Sequence, residues 1–411
     1  MPRVVIVGAG FGGLQCARRL VGKPVDVLLM DRHNYHLFTP LLYQVASSLL
    51  NPSDIAYPVR TVFRGARNVA FRVAEVTGAD LSAGVLRTAE GPDEPFDYLV
   101  LATGARVNFF GQDTIAARAF SLNTLSAALG LRDHVLRCFE AATAADLPNR
   151  RRLLTFVVAG AGPTGVEYAG ALGELVRIMA GRDYPGLSRA DVRILVLEGA
   201  ERVLPAFPAT LGADAQRRLQ RLGATIRTGV RVESADDQSV TLSTGEIIPC
   251  GTLVWAAGVQ PNTLDGGLDA PRGPGGRVAV DDSLRVPGRD RVFAIGDMAA
   301  FTQDGGPLPM LAQPAIQAGR AVAANVLRDL AGKPMRSFRY KDPGVMATVG
   351  RNAGVALIRG IALKGWLGWV TWLAVHLVFI IGFRNRVAVM LRWAWNYFFY
   401  DRPIRFIIGS R

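Results

Sequence analysis

Two glycine-rich turns, each led by an apolar run and followed at a distance by an acid, are the features of this 411-residue sequence best suited to chemistry. The first is Gly8-Ala-Gly10-Phe-Gly12-Gly13, preceded by Val4-Val5-Ile6-Val7 and followed 23 residues after Gly8 by Asp31. The second is Gly160-Ala-Gly162-Pro-Thr-Gly165, preceded by an apolar run from Leu153 to Ala159. Its acid, Glu198, comes 38 residues after Gly160. Gly8 and Gly160 permit a tight bend after a strand, Gly10 and Gly162 let the backbone approach a pyrophosphate, and Gly13 and Gly165 let a helix pack on the strand. The phosphates then sit on a helix N-terminus, where unpaired N–H groups and the dipole favour negative charge. Asp31 and Glu198 end the next strands, where a carboxylate can accept hydrogen bonds from a ribose diol. The longer interval to Glu198 requires an insertion, which Ala180-Gly-Arg-Asp-Tyr-Pro-Gly-Leu-Ser188 supplies.

A second pair of landmarks makes this a repeat. Asp97-Tyr-Leu-Val-Leu-Ala102-Thr103-Gly104 parallels Thr252-Leu-Val-Trp-Ala-Ala257-Gly258. The separation from first turn glycine to late glycine is 96 residues in one copy and 98 in the other. The chain is therefore read as α/β, with two Rossmann-like dinucleotide-binding folds. A third piece, Arg291-Val-Phe-Ala-Ile-Gly-Asp297, reads as a short buried strand with a helical start at Met298-Ala-Ala. Asp297 there can meet the ribityl or phosphate region of a flavin; the plain alternative is a helix cap. Because it follows the second repeat, the first domain is read as split: residues 1–115 and 275–335, with the second fold inserted at 150–274 and a C-terminal region at 336–411.

The charge is uneven. Of a formal +13, +7 falls between Arg359 and Arg411, together with five of the six Trp. Basic and aromatic residues at one end suit a membrane surface, the alternative being a basic surface over a core helix. Long aliphatic runs among the aromatics favour lipid over nucleic acid. Trp366 to Phe383 is eighteen residues without a charge, about 27 Å as a helix, so a short spanning helix competes with a monotopic anchor; His376 near its middle disfavours spanning. Arg384 to Phe406 mixes five Arg with clustered aromatics, as in a helix lying in the interface plane. Half of the residues are apolar, enough for a sizeable core. Cys16, Cys138 and Cys250 form no C-x-x-C pair, cannot hold an iron–sulfur cluster, and suggest a reducing compartment. No clustered His, Cys and carboxylates point to a metal. Met1-Pro2-Arg3 runs directly into a strand, which reads as no signal peptide and a cytosolic body.

The whole chain resembles the two-dinucleotide-binding-domain flavoproteins, and within them the type II, non-proton-pumping NADH:quinone oxidoreductases. The resemblance is carried by Asn34-Tyr-His36-Leu-Phe38-Thr-Pro40-Leu-Leu-Tyr-Gln44-Val-Ala, by Gly160 to Glu167, by Ala312-Gln313-Pro-Ala-Ile-Gln317, and by Trp372…His376…Gly382-Phe-Arg-Asn-Arg386. One departure is Ser47-Ser48, where similar proteins often show Thr-Gly. The resemblance implies FAD in the first fold, on Gly8, Gly10, Gly12, Gly13, Asp31, Ala102, Thr103, Gly104, Asp297, Ala312 and Gln313. It implies NADH in the second, on Gly160, Gly162, Gly165, Glu167, Glu198, Ala257 and Gly258, with Glu198 favouring NADH over NADPH. Glu167 is expected in the first turn of its helix, where nicotinamide meets flavin; its plain alternative is a complement to the helix dipole. Gln313 and Gln317, spaced i, i+4, are implied at the quinone site, with ordinary surface glutamines as the alternative. Lys364 resembles a lysine near the quinone, or is an interfacial lysine that snorkels. His36 and His376 are read as satisfied core residues.

Disulfide reductases of that superfamily use a Cys pair after the second strand, and Asp31 to Ser53 holds none, so electrons must leave a flavin directly. The expected function is FAD-dependent oxidation of NADH with two-electron reduction of a membrane quinone, at respiratory-chain entry. The expected location is peripheral, on the cytoplasmic side of the membrane, and the resemblance implies a homodimer. Two alternatives remain: delivery of electrons to oxygen or a protein carrier, and a redox-switched binding protein.

Overall fold

The computed structural model describes residues 1–264, 268–402 and 404–408. They form two compact units. One comprises residues 1–37, 56–106 and 259–343; the other comprises 38–55, 107–258 and 344–411.

The first unit is built on a five-stranded parallel sheet in the order Val292–Ala294, Tyr98–Leu101, Arg3–Val7, Asp26–Asp31, Val69–Val73. Its strands are almost continuous apolar runs because helices and loops cover both faces. Val5, Val7, Met30, Leu99, Leu101 and Ala294 are buried in one core with Val76, Leu86, Val278 and Met298. The helix Phe11–Leu20 follows the first strand, and the helix Ala312–Leu330 packs against it.

The second unit repeats that sheet. Its parallel order is Phe120–Ser121, Thr252–Trp255, Thr155–Ala159, Arg193–Glu198, Ala224–Thr228. The helix Pro163–Met179 follows the glycine turn, with Pro163 at its first position where a missing N–H costs nothing. Each unit adds a three-stranded antiparallel sheet: Val76–Asp80, Val85–Thr88 and Glu94–Pro95 in the first, and Val232–Ala235, Ser239–Leu242 and Ile247–Pro249 in the second.

The C-terminal part belongs to the second unit. A hairpin sheet, Val345–Thr348, Gly354–Ile358 and Ile361–Lys364, leads into the helices Gly365–Phe379 and Phe383–Phe399. The charge-free stretch is thus not one helix. It breaks at Ile380–Gly382, where Gly382 takes a left-handed φ of 86°. The first helix has fifteen residues, about 22 Å, against a bilayer core of roughly 30 Å. Among the described residues no helix is long and apolar enough to cross a membrane, which overturns the spanning alternative. The interfacial helix also stops at Phe399, seven residues before the expected Phe406.

Candidate functional site

The two glycine turns are superposable in their hydrogen bonds. In the first unit Gly8 has φ 107°, and a Cβ there would stand 2.2 Å from the carbonyl oxygen of Ala102; in the second, Gly160 has φ 100° and the clash would be 2.5 Å from Ala256 O. Only glycine fits either position. Around Gly10 and Gly162 there is open space within 4 Å, as a pyrophosphate approach requires. Asp31 accepts from Ala9 N at 2.7 Å and His33 N at 2.8 Å; Glu198 accepts from Ala161 N at 2.6 Å and Ala200 N at 2.8 Å. Each acid therefore locks its own glycine turn to the end of the neighbouring strand. A carboxylate has about four acceptor sites, so both retain capacity for a ribose diol.

The remaining first-unit candidates surround that turn or lie on the Ala312–Leu330 helix. Gly104 is left-handed at φ 69°, and Thr103 Oγ1 donates to Asn262 O at 2.6 Å. Asp297 sits in a 3₁₀ turn, Gly296–Met298, which leads into a strand at Ala299–Ala300 and not into the expected helix. Burial pushes its carboxyl up to about 6 against the pull of Arg277. A half-buried acid there suits a partner that donates, such as a ribityl hydroxyl. Gly12 lies under Ile295 and Ala315 O, so its small size serves the contact between the two helices. Ala312 and Gln313 open the helix. Gln317 holds the backbone of Lys341: Nε2 donates to Lys341 O at 2.9 Å and Oε1 accepts from Lys341 N at 3.0 Å. Together with the glycine turn, these residues fit a flavin dinucleotide.

In the second unit Gly258, which follows Ala257, faces the ring of Phe110, held at a left-handed φ of 53°. Glu167 is the fifth residue of its helix, a turn deeper than expected, and is buried. It does not complement the helix dipole. Its Oε1 accepts from Trp372 Nε1 at 2.9 Å and Thr348 N at 3.3 Å, and burial pushes its carboxyl up to about 8. At neutral pH it is predominantly a neutral acid.

A cavity opens beside it, lined by residues that include Tyr43, Gln44, Glu174, Arg351, Trp372 and Trp393. Its walls are hydrogen-bonded. Trp393 Nε1 donates to Gln44 Oε1 at 2.7 Å, and Gln44 Nε2 donates to the Tyr43 hydroxyl at 2.9 Å. Arg402, 1% exposed, donates to Ser47 O, Ala171 O and Glu174 Oε2 at 2.7–2.9 Å. A single neutral acid among indoles, amides and a phenol can give a proton to a carbonyl oxygen that reaches it.

Sequence reasoning missed Trp372, Tyr43, Gln44 and Arg402 as site residues, although the first three lay in the segments that carried the resemblance. One available signal was Glu174, seven residues after Glu167 on a helix otherwise rich in Gly and Ala, which places both acids on one face. Lys364 is exposed at the N-cap of its helix and does not line the cavity. His36 is buried with Nδ1 against Ala9 O at 2.8 Å, and His376 has Nδ1 against Trp372 O at 2.7 Å and its ring 3.9 Å from that indole. Burial pushes the thiols of Cys138 and Cys250 up to about 11 and that of Cys16 up to about 12, so none is a thiolate at neutral pH.

The Ser47-Ser48 departure has a physical consequence. Ser48 is buried at φ 60°, and its hydroxyl has no hydrogen-bond partner. Ser48→Gly removes both the left-handed strain and the orphaned hydroxyl, and is expected to stabilise the protein by about 1 kcal/mol. A melting temperature equal to or below that of the parent would contradict this.

A family model of pyridine nucleotide-disulphide oxidoreductases matches residues 2–319. The chain is 39% identical over 407 residues to the type II NADH:quinone oxidoreductase Ndh of Mycobacterium tuberculosis, covering 95% of this chain and 87% of that one. It is 38% identical over 411 residues to NdhA of the same organism, covering 95% and 86%. Among solved structures it is similar to NDH2 from Plasmodium falciparum in complex with NADH, with a TM-score of 0.91 at 20% identity over 98% of this chain and 99% of that one.

Proposed function

This chain belongs to the type II NADH:quinone oxidoreductase family, and we propose that the cavity beside Glu167 is where its quinone binds and is protonated. The enzyme oxidises NADH and reduces a quinone in the respiratory chain without pumping protons. FAD, when bound, supplies the two-electron chemistry between the two substrates. The rest is done by the chain's own groups.

The first unit holds FAD through the Gly8–Gly13 turn, Asp31, residues 102–104, Asp297, Ala312 and Gln313. In this reading Gln317 positions the segment at Lys341 instead of contacting quinone. The second unit holds NADH through Gly160, Gly162, Gly165, Ala257 and Gly258, with the pyrophosphate on the N-terminus of the Pro163–Met179 helix. Glu198 takes the adenine ribose. A 2′-phosphate there would meet a carboxylate already fixed by two backbone N–H groups. Accordingly Glu198→Gln is expected to lower kcat/KM for NADH and raise the NADPH/NADH ratio by about tenfold. An unchanged ratio would remove Glu198 from the specificity site.

One observation carries the quinone assignment: Glu167 is a carboxylic acid kept neutral to about pH 8 at the wall of a cavity. Quinone reduction consumes protons, and an acid with a pKa near the working pH is well matched to deliver one. Trp372 and Thr348 fix Oε1, which leaves the proton to Oε2. Lys364, exposed at the start of the C-terminal helices, is read as an interfacial residue.

The enzyme is membrane-associated as its family is. We read the lipid-facing surface as the apolar stripe of the Phe383–Phe399 helix together with the exposed Trp366 and Val378 of the preceding helix. The cytoplasmic side and a homodimer belong to the same reading. Both rest on the family resemblance. The assignment of the cavity is tested by Glu167→Gln, whose expected outcome opens the Discussion.

A further inference from the structure

The turn between the strands Val345–Thr348 and Gly354–Ile358 carries Arg351 to the wall of the Glu167 cavity. Its guanidinium carbon lies 4.1 Å from the ring centres of both Tyr397 and Tyr400. Stacking between two aromatic faces fixes a guanidinium without using its N–H donors. Those donors are conspicuously unused: Nε and Nη1 are buried and have no hydrogen-bond partner. Among the described residues Arg351 is the one arginine with two such nitrogens, and buried unpaired donors ask for an explanation.

The neighbouring carboxylates do not provide one. Glu174 accepts from Arg402 Nη2 at 2.7 Å and from the backbone N–H of Arg351. Glu167 accepts from Thr348 and Trp372. The arrangement is also held against backbone preference. Asn352 turns the hairpin at φ 58°, and Tyr400 ends its helix at φ 51°, a left-handed conformation that a tyrosine rarely adopts. That conformation accompanies a ring seated on Arg351. Strain of this kind gathers where geometry has a use.

We propose that Arg351 is a further catalytic residue of quinone reduction: its guanidinium, fixed on two aromatic faces at the cavity wall, stabilises by its charge the quinone oxygen on which negative charge collects and holds that anion until it is protonated. The inference rests on the reading of this cavity as the quinone site. The overall reaction takes NADH, one proton from solution and quinone to NAD⁺ and quinol, the hydride supplying both electrons and one hydrogen. As two electrons enter the quinone, its two oxygens must each gain a proton. Glu167 gives one and is reprotonated from solution. The other is the hydrogen that came with the hydride, and until it arrives as a proton the second oxygen is an anion. A guanidinium stays charged throughout, so it stabilises that anion without competing as an acid.

The test uses the full-length, flavin-loaded enzyme with Arg351→Gln and Arg351→Lys, assayed with a short-chain quinone and, separately, with ferricyanide as a water-soluble acceptor. Arg351→Gln is expected to lose about 10- to 100-fold in kcat/KM for quinone, with the KM for NADH and the ferricyanide rate held. Arg351→Lys should recover part of the loss, since the charge remains while the stacked fork does not. Normal quinone kinetics in Arg351→Gln alongside an impaired Glu167→Gln would overturn the role of Arg351 and leave the cavity reading intact. Normal kinetics in both variants would overturn both. Should Arg351→Gln fail to fold, Tyr400→Leu releases the stack and keeps the charge. It is expected to raise the quinone KM several-fold, and an unchanged KM overturns the proposal.

Discussion

Glu167→Gln is expected to lower quinone turnover about 100-fold or more while NADH oxidation by ferricyanide continues. Gln keeps the size of the side chain and the acceptor for Trp372 and Thr348 but cannot give up a proton. General acid catalysis by one positioned group contributes about 10²- to 10⁴-fold. The pH profile is the sharper observable. With its carboxyl pushed up to about 8 by burial, the parent should hold its quinone kcat/KM at neutral pH and lose it as pH rises past about 8. The variant should be flat across that range. A variant that keeps both the rate and the parent's profile would mean that the proton comes from elsewhere.

The same substitution has a stability signature of opposite sign. The unfolded chain releases the Glu167 proton near the ordinary value of 4.5, whereas the folded protein holds it to about 8. Between those values the unfolded state binds fewer protons, so this group removes stability as pH rises from about 4.5 to about 8. Gln has no such term. Glu167→Gln should therefore melt at or above the parent temperature, by a margin that grows over that window. Loss of activity with a gain in stability identifies a group kept for function; a margin that shrinks with pH would show the burial to be misjudged.

The second large effect concerns the membrane. Phe383, Leu391, Trp395 and Phe398 are 82%, 60%, 52% and 73% exposed, and their spacing puts them on one stripe of the Phe383–Phe399 helix. Arg384 and Arg386 stand exposed on the same helix. Burying such side chains in lipid stabilises by about 1.5–3 kcal/mol each when complete. At about 1 kcal/mol apiece, the four together give about 4 kcal/mol, roughly a thousandfold in partitioning. Changing all four to Ser should release the enzyme from vesicles in a flotation assay, with ferricyanide activity retained and turnover of long-chain quinone lost. Retained binding would move the lipid-facing surface elsewhere.

Deleting the tail is a poorer experiment than the sequence suggests. By sequence alone, cutting at Lys364 spares a dinucleotide-binding body. Yet Trp372 and Arg402, both 1% exposed, close the Glu167 cavity and brace Glu174 within the second unit. Their removal strands buried partners, which is strongly destabilising.

What the sequence determined by itself is local or repeated. The glycine turns, the apolar runs before them and the acids ending the next strands are short-range patterns, set by a backbone that only glycine can follow and by strands buried on both faces. Repetition doubled the signal, and the structure carries it down to matching pairs of N–H groups on Asp31 and Glu198. The chemistry of Glu167 is of another kind. Its two hydrogen-bond donors, Thr348 and Trp372, lie 181 and 205 residues away. A carboxyl group's pKa is set by how much water surrounds it and by which dipoles face it, and neither is encoded near position 167. The fate of the apolar tail was settled in the same way. Eighteen uncharged residues read alike as a spanning helix or an anchor; in the structure the helix ends at Phe379, Gly382 turns the chain and Trp372 is drawn into the second unit's core. Tertiary packing decided both, because burial is a property of the surroundings and not of the residue.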